Sequence, residues 1–390
     1  MKPAETFDIL IIGGGIIGLS LARRLRKRGI ENIGVIEKNP ACGSESSDAA
    51  AGMLAPQSEA DCADDFFRFC SESRDLYSQF AAELFDETGV DIELDRSGTV
   101  YLAFNETDAE ELEKRFAWQT KANLRIEKLG AKEILEIEPN ISPDVIFGLH
   151  FPDDWQVENR KLVSALQKSV EANDVEIFTG TEIKNLLTEN GKVVGAETQN
   201  EKYFAEKVVL ATGAWTSFIK IGDDDLPLKI EPVRGQILCF QTSEKLFSKV
   251  IYTPRGYLVP RRDGRILSGA TVEKAGFDKS VTNAAIEFLR GNAFEIAPCL
   301  ESLTAAKSWA GLRPFAADGL PVLGEFPDAE NLFIATAHYR NGILLAPKTA
   351  EILADKITKN SASEYLEIFS PRRFQTATEK MLRVIGNSSF

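Results

Sequence analysis

Phe7-Asp8-Ile9-Leu10-Ile11-Ile12 runs into Gly13-Gly14-Gly15-Ile16-Ile17-Gly18, and Glu37 closes Val35-Ile36-Glu37 nineteen residues after Gly18. Ile9 to Ile12 form a short apolar run of the kind that makes a buried parallel strand. Gly13 permits a tight turn out of it. Gly15 lacks a Cβ, so the backbone can approach a pyrophosphate, and Gly18 lets the following helix lie close to the sheet. The phosphates then sit at a helix N-terminus, where unpaired N–H groups and the positive dipole end favour anions. In that helix Ile17, Leu21 and Leu25 recur four apart. Arg23, Arg24, Arg26, Lys27 and Arg28 crowd its last turns, and Gly29 ends it. Glu37 is placed to accept hydrogen bonds from both ribose hydroxyls and would repel a 2′-phosphate, which disfavours NADP. Strand, glycines, helix, second strand and acid in register predict a dinucleotide-binding βαβ unit. Glu5 and Asp8 ahead of the apolar run, and a basic cluster behind it, argue against a signal peptide.

Beyond this unit, 390 residues imply two structural domains, and 44% hydrophobic with 27% charged residues is a globular composition. The formal net charge of −14 repels phosphate backbones, so no nucleic-acid partner is expected. No stretch is long and apolar enough to span a membrane. Cys42, Cys62, Cys70, Cys239 and Cys299 are scattered without Cys-x-x-Cys spacing and read as small hydrophobes of a reducing, cytoplasmic protein. His150 and His338 are the only histidines and show no ligand spacing, so no metal is expected.

The pattern continues with a small-residue loop and a helix from about Asp64 to Thr88. Strand-like alternation covers 92–104, and a charged helical stretch 107–140. Then come a helix over Arg160–Ala172, a strand at Glu176–Phe178, a hairpin across Glu189-Asn190-Gly191-Lys192 and an apolar strand Lys207–Ala211. From about residue 225 longer alternating strands take over: Val233–Phe240, then Tyr257–Pro260 and Arg265–Ala270 flanking the hairpin signal Asp263-Gly264. A helix over 282–296, a strand Asn331–Thr336 and a helix Ile343–Ile357 follow. The expected fold is α/β (α+β overall), a Rossmann-like doubly wound nucleotide domain with an inserted antiparallel-sheet substrate domain. The nucleotide domain would comprise 1–88, 150–223 and 307–365, the substrate domain 89–149 and 224–306, with 366–390 as a C-terminal tail.

Four further motifs carry chemistry. Ala49-Ala50-Ala51-Gly52-Met53-Leu54-Ala55-Pro56 lets backbone amides approach a flat ring, or simply starts a tight helix. Val208-Val209-Leu210-Ala211-Thr212-Gly213-Ala214 is a buried strand whose glycine turn can cover a nucleotide. Trp309-Ala310-Gly311-Leu312-Arg313-Pro314 places an arginine in an apolar segment, where it must meet an anion. That anion is either an internal carboxylate or a substrate carboxylate held by two parallel N–H···O bonds. His338-Tyr339-Arg340-Asn341-Gly342-Ile343-Leu344-Leu345-Ala346-Pro347 follows a strand and opens a helix. Aimed at the N1/O2 edge of an isoalloxazine ring, this second helix N-terminus would stabilise the anion formed on reduction.

With Val233-Arg234-Gly235-Gln236 and the run Tyr257 to Arg265, these motifs mark a chain that resembles the FAD-dependent D-amino-acid oxidase superfamily, most closely its glycine oxidases of thiamine biosynthesis, from Asp8 to about Ile357. The resemblance implies noncovalent FAD and oxidative deamination of glycine or a small D- or N-methyl amino acid. A hydride would pass from Cα to flavin N5, the imine would hydrolyse to a 2-oxo acid and ammonia, and dioxygen would yield hydrogen peroxide. By position it implies that Arg313 and the Tyr257 hydroxyl grip the substrate carboxylate, with Arg340 nearby. FAD would be contacted by Gly13, Gly14, Gly15, Ile16, Ile17, Gly18, Glu37, Lys38, Ser46, Ser47, Ala51, Gly52, Met53, Ile183 and Gly213, and by His338, Tyr339, Arg340, Asn341, Gly342, Ile343 and Leu344. The implied partners are a small amino acid and dioxygen, in a homo-oligomer. Val272 stands where closely related glycine oxidases tend to have methionine, which would reshape the pocket wall. No cysteine follows Cys299, against the relatives that tether flavin through one. A nicotinamide dehydrogenase would not need the C-terminal helix. A quinone-linked D-amino-acid dehydrogenase and a flavin module acting on modified tRNA bases stay open, the latter disfavoured by the acidic charge.

Overall fold

The computed structural model describes residues 5–327 and 329–374, so the expected tail 366–390 lies outside the described residues from 375 onward. The chain packs as two compact units. One holds the described residues of Met1–Ser47, Val163–Pro232 and Arg313–Phe390; the other holds Asp48–Leu162 and Val233–Leu312.

In the first unit the strand Glu5–Ile12 pairs in parallel with Ile33–Ile36 on one side and with Lys202–Leu210 on the other. Glu176–Phe178 and Leu332–Thr336 extend the parallel core outward. Ile9 to Ile12 are at most 3% exposed, because helices cover both faces of such a sheet and leave no wet side. Gly13 turns out of the strand at φ +115°, where a Cβ would lie 2.3 Å from the Ala211 carbonyl oxygen. A Cβ on Gly18 would lie 1.9 Å from the Gly13 oxygen. The helix Ile16–Lys27 can begin there only because both positions are glycine. It packs on the helix Gly342–Lys359. Arg24 meets Glu351 at 3.2 Å and Arg28 meets Asp355 at 2.7 Å. The pairing advances four residues on each helix, so the two run parallel. Each follows a strand of the parallel core, and both therefore start at its carboxyl edge. The hairpin at Asn190-Gly191 has φ +51° and +80°, as a two-residue type I′ turn requires.

The second unit is built on an eight-stranded sheet. Its order is Ala305–Phe315, Glu231–Gln241, Arg265–Gly269, Gly256–Pro260, Val250–Thr253, Thr99–Ala103, Phe147–Phe151 and Glu127–Gly130. It departs from the antiparallel expectation where Val250–Thr253 runs parallel to Thr99–Ala103. The chain enters this sheet in two passes, and that junction is where they meet.

Other expectations shift. The charged stretch 107–140 is not one helix: Glu106–Lys121 ends before Asn123 at φ +57°, a strand follows, and a second helix covers Ala131–Ile137. Of the alternation over 92–104, Thr99–Ala103 is the strand, because Glu93 and Gly98 take positive φ before it. Residues 48–88, 150–162 and 307–312, expected with the nucleotide domain, group with the second unit. The Asp154 carboxylate accepts from Ser58 N at 2.8 Å, Gln57 Nε2 donates to Gln119 Oε1 at 2.9 Å, and Val157 N donates to Gly52 O at 2.9 Å. Residues 224–232 go the other way, tied by Ile230 N to Ser217 Oγ at 2.7 Å.

Arg261 holds the small-residue loop in place. Its side chain is 3% exposed; it donates to the carbonyls of Ala51 at 2.6 Å and Val157 at 2.7 Å and stands 3.4 Å from the Glu158 carboxylate. Arg261→Leu should lower stability by about 3–5 kcal/mol, since buried acceptors lose their donor. The check is a fall in the urea midpoint at unchanged m-value, with Arg261→Lys failing to restore it because one ammonium cannot span the fork.

Candidate active site

Around the first helix N-terminus the structure brings together Gly13 to Gly18, Glu37, Lys38 and Ser47. Glu37, 7% exposed, accepts from Gly14 N at 2.9 Å on one oxygen and from Asn39 N and Nδ2, both at 2.8 Å, on the other. Expected as a ribose acceptor, it first organises the glycine loop. A carboxylate has about four lone-pair sites, so three bonds leave capacity for a hydroxyl. Ser47 Oγ accepts from Ile16 N at 3.1 Å. Lys38 Nζ stands 3.2 Å from Glu45 and 3.4 Å from the centroid of the Trp215 ring, a cation–π contact that the sequence did not announce. Ser46 is half-buried beside Ser47, and Ile183 is buried in the core of this unit. Gly213 takes φ +54° and its carbonyl accepts from Thr216 and Thr336 hydroxyls. Cys42 lies under Gly14, its thiol pushed up to about 12 by burial and by the charges of Glu37 and Glu171, which makes it inert.

At the second helix N-terminus the His338 side chain belongs to the core. Its ring is buried, with Nε2 3.1 Å from Thr349 Oγ1, and burial pulls its pKa down to about 3. The imidazole is a neutral core group that anchors the turn, and its carbonyl accepts from Asn341 N at 2.9 Å. Tyr339, at φ +49°, donates its N–H to Pro314 O at 3.1 Å and sets its ring edge-on to Phe315. This ties the end of the strand carrying half-buried Arg313 to the turn carrying exposed Arg340 and to Asn341, Gly342, Ile343 and Leu344.

In the second unit Gly52 takes φ +72°, where a Cβ would lie 2.2 Å from Val157 O, and Met53 pairs with Gln156. Trp309 Nε1 donates to Ala49 O at 3.1 Å, so the strand leading to Arg313 packs on the small-residue loop that contains Ala51. Tyr257 is buried opposite Gly269, whose missing Cβ leaves room for the phenol. Val272 is 60% exposed; its side chain forms no packed wall. Sequence reading gave Arg261 no role, although an arginine closing an apolar strand poses the same demand for acceptors as Arg313.

These residues fit FAD on one shared feature. A Cβ on Gly15 would meet nothing closer than Ser47 Oγ at 3.5 Å, and one on Gly342 nothing closer than His338 Cβ at 3.8 Å. Internal packing does not demand glycine at either position. Both positions leave the helix N-termini open to close approach by a pyrophosphate or a ring, as FAD would need.

Residues 8–356 match the family described as FAD dependent oxidoreductase, DAO type. The chain belongs to this family and is an FAD-dependent oxidoreductase. It is 33% identical over 371 residues to the glycine oxidase of Geobacillus kaustophilus, covering 94% of this chain and 97% of that protein. It is also 35% identical over 379 residues to the bifunctional protein ThiO/ThiG of a Synechocystis strain. There it spans about half the relative, 55% of its length. The crystal structure of glycine oxidase from Geobacillus kaustophilus superposes with a TM-score of 0.88 at 32% identity, over 94% of this chain and 98% of that one. L-proline dehydrogenase from P. horikoshii, at 23% identity and a TM-score of 0.84, shares the fold. Among the described residues no helix is long and apolar enough to cross a membrane.

Two outcomes follow. Gly15→Ala should leave apoprotein stability within about 1 kcal/mol of the parent yet weaken FAD binding at least about tenfold, equivalent to about 1.4 kcal/mol, as read by flavin titration against thermal melts of the apoprotein. The buried His338 stays neutral while the unfolded ring, at its ordinary 6.5, takes up a proton. Its stabilising contribution is therefore complete above 6.5 and is lost as pH falls toward 3, by about 1.4 kcal/mol per unit. His338→Gln should remove about 2 kcal/mol of the stability lost between pH 7 and 5, measured as the difference between the two urea curves.

Proposed function

We propose that the protein oxidises glycine or a small D- or N-methyl amino acid to its imine. The imine hydrolyses to a 2-oxo acid and ammonia, or methylamine from an N-methyl amino acid, and dioxygen takes the two electrons to give hydrogen peroxide. The observation that carries this reading is the likeness to glycine oxidase over nearly the full length of both chains. FAD, when bound, supplies the acceptor for the Cα hydride. Gly13 to Gly18, Glu37, Lys38, Ser46, Ser47, Ala51, Gly52, Met53, Ile183, Gly213 and the segment His338 to Leu344 would hold it, with His338 acting through its backbone.

Arg313 binds the substrate carboxylate through its guanidinium fork, its strand end being fixed by the Tyr339 N–H on Pro314 O. The Tyr257 hydroxyl is the second donor, and Arg340 adds positive charge. The work of these groups is orientation: they present the Cα–H of a neutral amine, which needs no side-chain base. The likeness to ThiO/ThiG supports a place in thiamine biosynthesis.

The purified yellow protein should release peroxide with glycine, sarcosine, D-alanine or D-proline; failure with all of these would overturn the reading, and dye reduction without peroxide would move the acceptor from dioxygen to a quinone. Arg313→Ala should stay yellow and lose roughly 100-fold or more in kcat/KM. Turnover at the parental rate in that variant would remove the arginine from the site.

A further inference from the structure

The Glu37 carboxylate is held by the protein itself, and the way it is held limits what else it can take. Its backbone is pinned from the neighbouring strand end: the Glu37 N–H donates to Phe178 O at 2.9 Å and the Glu37 carbonyl accepts from Thr181 N at 2.9 Å. Asn39 O accepts from Gly180 N at 2.8 Å, so both residues are fixed to the segment 178–181. On the other side the Glu37 stem lies against Gly14, where an added Cβ would come within 3.0 Å of the Glu37 Cβ. Little freedom is left to a side chain that is 7% exposed.

Its two oxygens are not equivalent. Oε2 accepts one bond, from Gly14 N at 2.9 Å, whereas Oε1 accepts two, from Asn39 N and Asn39 Nδ2, each at 2.8 Å. The direction of the Asn39 amide is set by its surroundings. Nδ2 also stands 3.4 Å from Glu45 Oε1, so its protons point at two carboxylates, and turning the amide over would set Oδ1 against two anionic oxygens. Glu45 is kept in place by Lys38, whose Nζ lies 3.2 Å from the same oxygen. A carboxylate oxygen offers about two lone-pair sites. On Oε1 both are taken by Asn39, and on Oε2 one remains. A ribose presents two neighbouring hydroxyls, and an acid at the end of this strand can accept from both only with two sites to offer. Glu37 has one.

We propose that Asn39 is a positioning residue for the cofactor: by saturating Glu37 Oε1 it leaves Glu37 to bind one of the two ribose hydroxyls, through Oε2, and to leave the other unread. This rests on Glu37 as the ribose acceptor of bound FAD. A hydrogen bond to a charged acceptor is the strong kind, so loss of the hydroxyl that Glu37 reads weakens binding by about tenfold or more, and loss of its neighbour does not.

The test uses the full-length holoprotein and three competitors, ADP, 2′-deoxy-ADP and 3′-deoxy-ADP, with release of FAD read from the rise in flavin fluorescence. ADP carries the adenine, ribose and pyrophosphate without the flavin ring, so it reports on this end of the site alone. One deoxynucleotide should displace FAD at least about tenfold less well than ADP, and the other should stay within about threefold of it. Asn39→Ala keeps the backbone donor and removes Nδ2, so Oε1 regains an acceptor site. In that variant the second hydroxyl should count as well, and both deoxynucleotides should fall at least about fivefold below ADP. An asparagine that only braced the fold would weaken all three nucleotides together; unchanged ratios in a yellow Asn39→Ala therefore overturn the proposal. Two parental results overturn it even if no variant folds: both deoxynucleotides weakened alike, which means that both hydroxyls are held, or neither weakened, which removes Glu37 from the ribose. Either result in a protein that binds FAD and releases peroxide with an amine leaves the proposed function standing. The expected ratios in a protein that oxidises no amine contradict that function and leave the role of Asn39 intact.

Discussion

The parallel packing of the helices Ile16–Lys27 and Gly342–Lys359 is the constraint on which the first unit's chemistry depends. The Arg24–Glu351 and Arg28–Asp355 pairs are half-exposed, and each contributes at most about 1 kcal/mol. The energy comes from buried side chains such as Leu21, Leu25, Leu345 and Leu353; the ion pairs set the register. Because both helices leave strands of one parallel sheet in the same direction, two positive dipole ends share one edge of that sheet. A ligand with a pyrophosphate and a reducible ring can use both. Neither end alone distinguishes FAD from any other nucleotide.

What the sequence made legible was local. The βαβ unit, its glycines and Glu37 fall within the first 37 residues, and each glycine's role follows from the turn and the crossing it must make. The helices Asp65–Thr88 and Gly342–Lys359 were readable from apolar spacing and end signals. Arg313 was readable because a guanidinium in an apolar segment demands an anion.

What escaped depended on partners distant in sequence. The parallel junction between Thr99–Ala103 and Val250–Thr253 joins strands about 150 residues apart, which periodicity cannot pair. The partner of the His338 ring, Thr349 on the following helix, could not be read from the motif itself. The boundary expected after residue 88 falls at residue 48 because the side chains of Gln57 and Ser58 bond to Gln119 and Asp154. The small-residue loop was recognised, but not Arg261, which holds it from more than 200 residues away.

The two aligned helices are proposed to serve one FAD, which engages both N-termini. Hydrogen exchange of the apoprotein, with and without FAD, resolved to the segments 14–18 and 342–345, tests this most directly. Slowed exchange in both segments at the same FAD concentration is the expected result. Protection confined to the glycine loop, with the start of the Gly342 helix unchanged, would contradict it.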